Sequence, residues 1–209
     1  MRSQHNIVKA YYNKIGFIEN KTDSNLLRKI YLTGILGDLN FKNKTILEVG
    51  AGASQYRELF IADGCSSYSG IDLVETRLPI SENYLKCNFY VTSLDKFDPD
   101  EKFDVIFFSL TWMYLSNLER DIIKLNNLLK PGGEIIFIEP NYLSIFTLFR
   151  HVKGKLMNNT PAVLFNPFNL KKKFSLTGID IKIEFFAREA FWGKFTFLGT
   201  NVRILGKKK

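Results

Sequence analysis

Two acids and a pair of glycines carry the first chemical signal in this chain. Glu48 lies two residues before Gly50, and Gly50 and Gly52 bracket Ala51 in the run T-I-L-E-V-G-A-G-A-S, residues 45–54. Glycines so close together permit a turn with positive φ and let a ligand approach the backbone. A carboxylate at Glu48 can face a ligand's ammonium group or order the turn. Asp72 follows 22 residues after Gly50, and an acid at the tip of a second strand is where a pair of ribose hydroxyls is held. The sixth position of the glycine pattern is Gln55, not Gly or Ala. That departs from dinucleotide sites, where a small residue there lets helix and strand pack closely. It suits an adenosine ligand without phosphates. The plain alternative is a βα turn that uses glycine only for its conformation.

These residues need strands and helices to hold them at one edge. Thr45, Ile46, Leu47 and Val49 read as a buried strand, and S-Q-Y-R-E-L-F (54–60) as the start of a helix with Ser54 as N-cap and Tyr56, Leu59 and Phe60 facing inward. S-Y-S-G-I-D-L (67–73) and N-F-Y-V-T-S-L (88–94) read as the second and third strands, joined by a link that Pro79 interrupts. F-D-V-I-F-F-S-L (103–110) is almost wholly apolar, as a strand buried on both faces should be. Ser116 and Glu119 form a capping-box pattern ahead of Leu118, Ile122, Leu125 and Leu129, with Arg120, Asp121 and Lys124 expected on the surface. Lys130-Pro131-Gly132-Gly133 is expected to end that helix, and E-I-I-F-I-E-P (134–140) to form the next strand. Before all of these, Leu26, Leu27, Ile30, Tyr31, Ile35 and Leu36 recur near a 3.6 period, with Ser24 as cap.

Repeated βα units of this kind imply a parallel sheet with helices on both faces. After Pro140 the alternation stops. Residues 141–157 read as a helix, apolar first and basic at its end, and F-N-L-K-K-K-F-S-L-T-G as a short helix closed by Gly178. Ile179, Ile181, Ile183 and Phe185 alternate with Asp180, Lys182 and Glu184 as in a half-buried strand, and residues 194–205 supply a last strand or bent pair. No linker marks a second domain in the 209 residues. The expected layout is an N-terminal helical cap (1–44), a cofactor-binding core (45–140), an acceptor lid (141–178) and C-terminal strands (179–206).

Charge is unevenly spread over the net +8. Residues 1–44 hold 8 Lys and Arg against 3 Asp and Glu, residues 45–140 hold 8 against 15, and residues 141–209 hold 13 against 3. A basic last third fits an anionic partner such as a phosphorylated small molecule, RNA or a membrane surface, or simply a solvated face with a loose G-K-K-K tail. Cys65 and Cys87 lack the spacing of a disulfide framework or a zinc site, so no metal is expected. The first residues carry no secretory pattern and no apolar run reaches the ~18 residues of a span, so a cytoplasmic protein is the default expectation.

From about Leu26 to Pro140 the chain resembles a class I S-adenosylmethionine-dependent methyltransferase. The match rests on E-V-G-A-G-A-S (48–54), G-I-D-L (70–73), F-D-V-I-F-F-S (103–109) and L-L-K-P-G-G-E-I-I-F-I-E-P (128–140). The resemblance implies a Rossmann-like seven-stranded, mostly parallel sheet with helices on both faces and an antiparallel last strand. It implies S-adenosyl-L-methionine as cofactor, with Glu48 and the backbone of Gly50, Ala51 and Gly52 at the methionine portion. Asp72 would take the ribose hydroxyls and Leu73 would lie against the adenine. Ser93, beside Leu94, stands where the family often has an acid for the adenine amine, and Asp95 is the substitute if the register differs. Ser109 would lie beneath the reactive part. Tyr11 or Tyr12 would close over the cofactor, or simply pack.

Methyl transfer from a sulfonium needs alignment and sometimes removal of an acceptor proton. Counting back from K-P-G-G, Tyr114 falls where many small-molecule members carry a histidine, although a tyrosine pKa of ~10 makes it a weak base. Glu139, at the end of the fifth strand, points to the same edge and can accept a proton or serve as a structural hydrogen-bond partner. His151 is the one histidine beyond the first few residues and sits in the expected lid. Ser109-Leu110-Thr111-Trp112 lacks the Asp/Asn-Pro-Pro-Tyr/Phe signature of adenine and glutamine methylation, neither cysteine lies in a Pro-Cys loop, and no RNA-binding module is recognisable. The expected reaction is O- or N-methylation of a small, phosphate-bearing acceptor such as a nucleotide sugar or polysaccharide precursor. The alternatives are a membrane lipid, with residues 142–157 in the interface, RNA, or a cofactor-binding protein without catalysis.

Overall fold

Parallel strands joined by helical crossovers must be covered on both faces, so successive side chains of each strand have to satisfy two cores at once. The computed structural model describes residues 4–15, 34–52, 56–75, 87–115, 117–158, 161–163, 166–186 and 201–209. Its elements run α1 (Gln4–Ile15), β1 (Thr45–Val49), α2 (Arg57–Ala62), β2 (Ser67–Asp72), β3 (Cys87–Val91) and β4 (Phe103–Ser109). A 3-10 turn (Trp112–Tyr114) follows, then α3 (Leu118–Leu128), β5 (Leu129–Pro140), α4 (Ile145–Asn158), α5 (Pro167–Ser175), β6 (Ile179–Phe186) and β7 (Asn201–Lys208).

The seven strands form one sheet in the order β3-β2-β1-β4-β5-β7-β6. Strands β1 to β5 pair in parallel, and β7 runs antiparallel to both β5 and β6. The expected Rossmann-like sheet is therefore present. Period-2 alternation distributes β4 between the two cores. Val105 and Phe107 join Ile46, Phe60 and Tyr68 on the α2 face, while Ile106 and Phe108 join Leu125, Phe137 and Phe174 on the face covered by α3 and α5. Full burial of each such aromatic contributes about 1.5–3 kcal/mol.

Local details differ from the sequence expectation in three places. The N-cap of α3 is Asn117, whose side chain accepts from the Arg120 N–H at 3.1 Å. Asn caps as well as Ser, and Glu119 is thereby released to bond Lys173 of α5 at 2.6 Å. Asp121, expected at the surface, is buried against this same turn. The helix also stops at Leu128, and β5 begins at once: Leu129 pairs with Phe103, and the register then shifts so that Glu134 meets Val105. Lys130-Pro131-Gly132-Gly133 is thus an irregularity within the strand, a site where proline's missing N–H is tolerated.

Part of the basic excess is structural. Arg203 of β7 is buried, donating from Nε to Glu184 at 2.6 Å and from Nη2 to Asp38 at 2.8 Å, which ties β6 and β7 to the residues just before β1. Lys208 donates to the carbonyls of Asn126 and Leu129. The expected helix through Ser24, Leu26, Leu27, Ile30 and Tyr31, the Ser54 cap with Gln55, the Pro79 link, Ser116, and residues 194–200 lie outside the described residues.

Candidate active site

Strand order reverses between β1 and β4, so the crossovers leaving their carboxyl ends diverge and open a crevice there, the usual ligand position in such sheets. At β1 the chain turns through Gly50 at φ +72° and Gly52 at φ +52°. Gly50 and Ala51 donate their N–H groups to the Ile71 carbonyl at 2.8 and 3.0 Å, which extends the β1–β2 ladder past the strand. A Cβ on Gly50 would lie 2.2 Å from Thr111 Oγ1, so the β1 and β4 turns approach as closely as only glycine allows. A Cβ on Gly52 would meet nothing within 4 Å among the described residues. The first glycine closes the turn and the second leaves its outer side open.

Asp72 clamps this turn. Its Oδ2 accepts from the Gly52 N–H at 2.8 Å and its Oδ1 from Val74 at 3.0 Å. Glu48 is buried and accepts a hydrogen bond from the Tyr68 hydroxyl. Leu73 is half-buried, while Ser93 and Leu94 are buried just beyond β3, where Thr92 donates to the Asp72 carbonyl at 2.8 Å. Asp95 is turned to other work: His5 of α1 lies 3.7 Å away and Arg120 3.4 Å. Burial would raise its pKa, but a hydrogen bond from Ser93 and the Arg120 and His5 charges hold the carboxyl below its ordinary value. Acid at two strand tips beside an open glycine backbone fits an adenosine cofactor with an amino-acid portion.

The β4–β5 side is built from side chains. The Ser109 hydroxyl lies 2.6 Å from the Tyr56 hydroxyl. Leu110 follows at φ +54°, a conformation a branched hydrophobic residue adopts only under constraint. Its N–H donates to the Ile138 carbonyl at 2.9 Å. Glu139 supplies the rest of that constraint. Its Oε1 accepts from the N–H groups of Thr111 at 3.0 Å and Trp112 at 2.8 Å, while its Oε2 is buried and has no hydrogen-bond partner among the described residues. Full burial pushes its pKa up to about 8, against the opposing pull of the Trp112 and Thr111 N–H groups. Ser144, five residues on, also holds a buried hydroxyl with no hydrogen-bond partner among the described residues.

Above this edge three distant segments converge. Tyr114 in the 3-10 turn meets Tyr12 of α1 edge-on at 5.5 Å, and Tyr11 packs on Tyr12 at 5.2 Å. Val163 donates to the Met113 carbonyl at 3.0 Å, and Gln4 to the Pro161 carbonyl at 3.3 Å. His151 lies half-buried on α4, its pKa lowered by burial and by Lys155, and none of these contacts includes it. Sequence reasoning missed Thr111, Tyr68 and Ser144. Only Tyr68 carried a usable signal, since period 2 in β2 puts it on the same face as Gly70, whose register partner is Glu48.

Residues 21–181, well over half of the chain, match the family described as Methyltransferase domain. Over 100 residues the chain is 30% identical to malonyl-[acyl-carrier protein] O-methyltransferase 2 of Ilyobacter polytropus, covering 44% of this chain and 38% of that protein. The chain thus spans about two fifths of the length of the curated relatives it matches. Among solved structures it is similar to magnesium protoporphyrin IX methyltransferase from Synechocystis with bound S-adenosylhomocysteine. The TM-score is 0.68 at 14% identity, over 99% of this chain and 100% of the other. It is likewise similar to the N-methyltransferase NodS from Bradyrhizobium japonicum, also with S-adenosylhomocysteine, at TM-score 0.66 and 15% identity over 99% of each chain.

Proposed function

Because the chain belongs to the S-adenosylmethionine-dependent methyltransferase family, we propose that it transfers that cofactor's methyl group to an oxygen or nitrogen of a small phosphate-bearing acceptor, such as a nucleotide sugar or polysaccharide precursor. The cofactor supplies an electrophilic methyl group on a sulfonium; the protein's share is alignment, charge and proton handling. Asp72 takes the ribose hydroxyls, and Leu73, Ser93 and Leu94 border the adenine. Glu48 with the backbone of Gly50, Ala51 and Gly52 receives the methionine portion, and Ser109 lies beneath the reactive end.

Glu139 carries the catalytic reading. One carboxyl oxygen is tied to the Thr111 and Trp112 backbone and the other has no hydrogen-bond partner among the described residues, in a carboxyl that burial pushes up to a pKa of about 8. A proton acceptor works best when its pKa lies near the working pH, and Oε2 is the atom that receives the acceptor's proton once the covering segments part. Tyr114 orients the acceptor hydroxyl, and His151 has no part in this reading. The exposed Arg150, Lys171 and Lys172 of residues 141–178 support an anionic acceptor.

The test is release of S-adenosylhomocysteine in the presence of nucleotide sugars and sugar phosphates. Turnover of at least one phosphate-bearing acceptor is expected, falling about 100-fold or more in Glu139→Gln at unchanged cofactor affinity. Turnover confined to uncharged acceptors, or a Glu139→Gln enzyme as fast as wild type, would reject it.

A further inference from the structure

Helix α4 is amphipathic the wrong way round for a helix packed on a soluble domain. Among its described side chains Thr147 is buried, 8% exposed, and His151 and Gly154 are half-buried beside it. The opposite face is apolar and open: Ile145 is 75% exposed, Phe149 72%, Val152 55% and Leu156 79%. These four recur at intervals of 4, 3 and 4, so they form one stripe along the helix. Leu148, also exposed, widens it. At about 100° per residue, Lys153 falls on one flank of the stripe and Lys155 on the other, both exposed. Ordinary core packing would turn this stripe inward and the lysines outward, so the sequence pattern and the packing here serve different partners.

We propose that α4 seats the protein on an anionic lipid bilayer, lying in the plane of the interface with the Ile145–Leu156 stripe among the acyl chains. A stripe flanked on both sides by lysines matches the layered chemistry of such a surface, apolar below and anionic at the headgroups, with lysine stems long enough to reach upward. No helix among the described residues is long and apolar enough to cross a membrane, and α4 at 14 residues suits an in-plane position. The helix is anchored close to the active edge: Ser144 donates to the Asn141 carbonyl at 3.1 Å and Leu148 to Ser144 at 3.0 Å, directly after Glu139 and Pro140. Docking therefore sets the mouth of the site near the headgroup layer, where a phosphate-bearing acceptor can be a lipid-borne one. The docking itself rests on α4 alone and stands or falls independently of the reaction.

The experiment is co-sedimentation of the whole chain with vesicles of phosphatidylcholine alone and of phosphatidylcholine mixed with phosphatidylglycerol. Binding to the mixed vesicles is expected, weakened at least tenfold with phosphatidylcholine alone, by high salt, by Phe149→Glu with Val152→Glu, and by Lys153→Glu with Lys155→Glu. Because these side chains are exposed, thermal unfolding of both double variants should match wild type, which separates lost docking from lost fold. Failure of wild type to bind mixed vesicles, or equal binding by the apolar-face variant, overturns the proposal. So does a lipid-free dimer that the apolar-face variant dissociates, which would assign the stripe to a second copy of the chain.

Discussion

The two halves of the active edge are built from different materials. Between β1 and β2 the site is mostly backbone: two glycines at positive φ, ladder bonds carried past the strand ends, and Asp72 bonded to the Gly52 N–H. Between β4 and β5 it is mostly side chain: Glu139 gathers two N–H groups of the following loop, and Tyr114 rests on Tyr12 from the far end of the chain. On the reading proposed above, the backbone cradle takes what every member of the family shares, the cofactor. A side-chain wall can change with each acceptor without disturbing the cradle, and here it stores a buried carboxyl and a strained Leu110. Each half holds a buried carboxyl, Glu48 and Glu139, but only the second also carries a positive-φ Leu110.

Breaking the cradle should cost most. Gly50→Ala places a Cβ against Thr111 in a left-handed conformation, and should destabilise the fold by about 3 kcal/mol or more, read from urea unfolding. Thr111→Gly in the same chain should recover the steric part but not the conformational part, so a double-mutant cycle separates the two. Glu139→Gln comes next: a fall in kcat of about 100-fold or more with cofactor affinity nearly unchanged, and loss of the ionisation near pH 8 from the kcat profile. If cofactor affinity falls instead, the two halves are not separable in this way. Asp72→Ala is the converse, weakening S-adenosylhomocysteine binding in calorimetry by about 10- to 100-fold, the worth of one or two hydrogen bonds to a charged group.

Stability against pH sharpens the contrast further. Unfolded, Glu139 ionises near the ordinary 4.5; folded, at about 8. Between those values the unfolded chain has released a proton that the folded chain keeps, so this group's contribution is fully present below pH 4.5 and is lost as pH rises through 8. The slope reaches at most ~1.4 kcal/mol per pH unit. Denaturant unfolding from pH 5 to 8 should follow it in wild type and flatten in Glu139→Gln. The smallest effect is at Leu110. Glycine there removes a left-handed penalty of about 1–2 kcal/mol and adds about 0.5–1 kcal/mol of unfolded-chain entropy, so Leu110→Gly should gain roughly 0.5–1 kcal/mol in Tm-derived stability.

What the sequence determined by itself was the periodic and the local. Apolar runs of strand length and the Gly50–Gly52 turn report requirements met within a few residues, so the sheet and its mostly parallel sense could be read from sequence, and Asp72 could be expected at the end of β2. Tertiary structure alone decided the rest. The cap of α3 is Asn117, and Glu119 instead bonds Lys173, a residue 54 positions away. Asp121 was drawn inside by the turn it packs on, and Lys130-Pro131-Gly132-Gly133 became an irregularity within β5 because β4 pairs with Leu129 before it and with Glu134 after it. The buried Oε2 of Glu139, without a partner among the described residues, is likewise invisible in sequence; the apolar side of residues 142–157 was legible there, but not that it faces outward. Burial, desolvation and the choice of which helix face meets the protein depend on residues far apart in the chain, and only the folded arrangement brings those residues together.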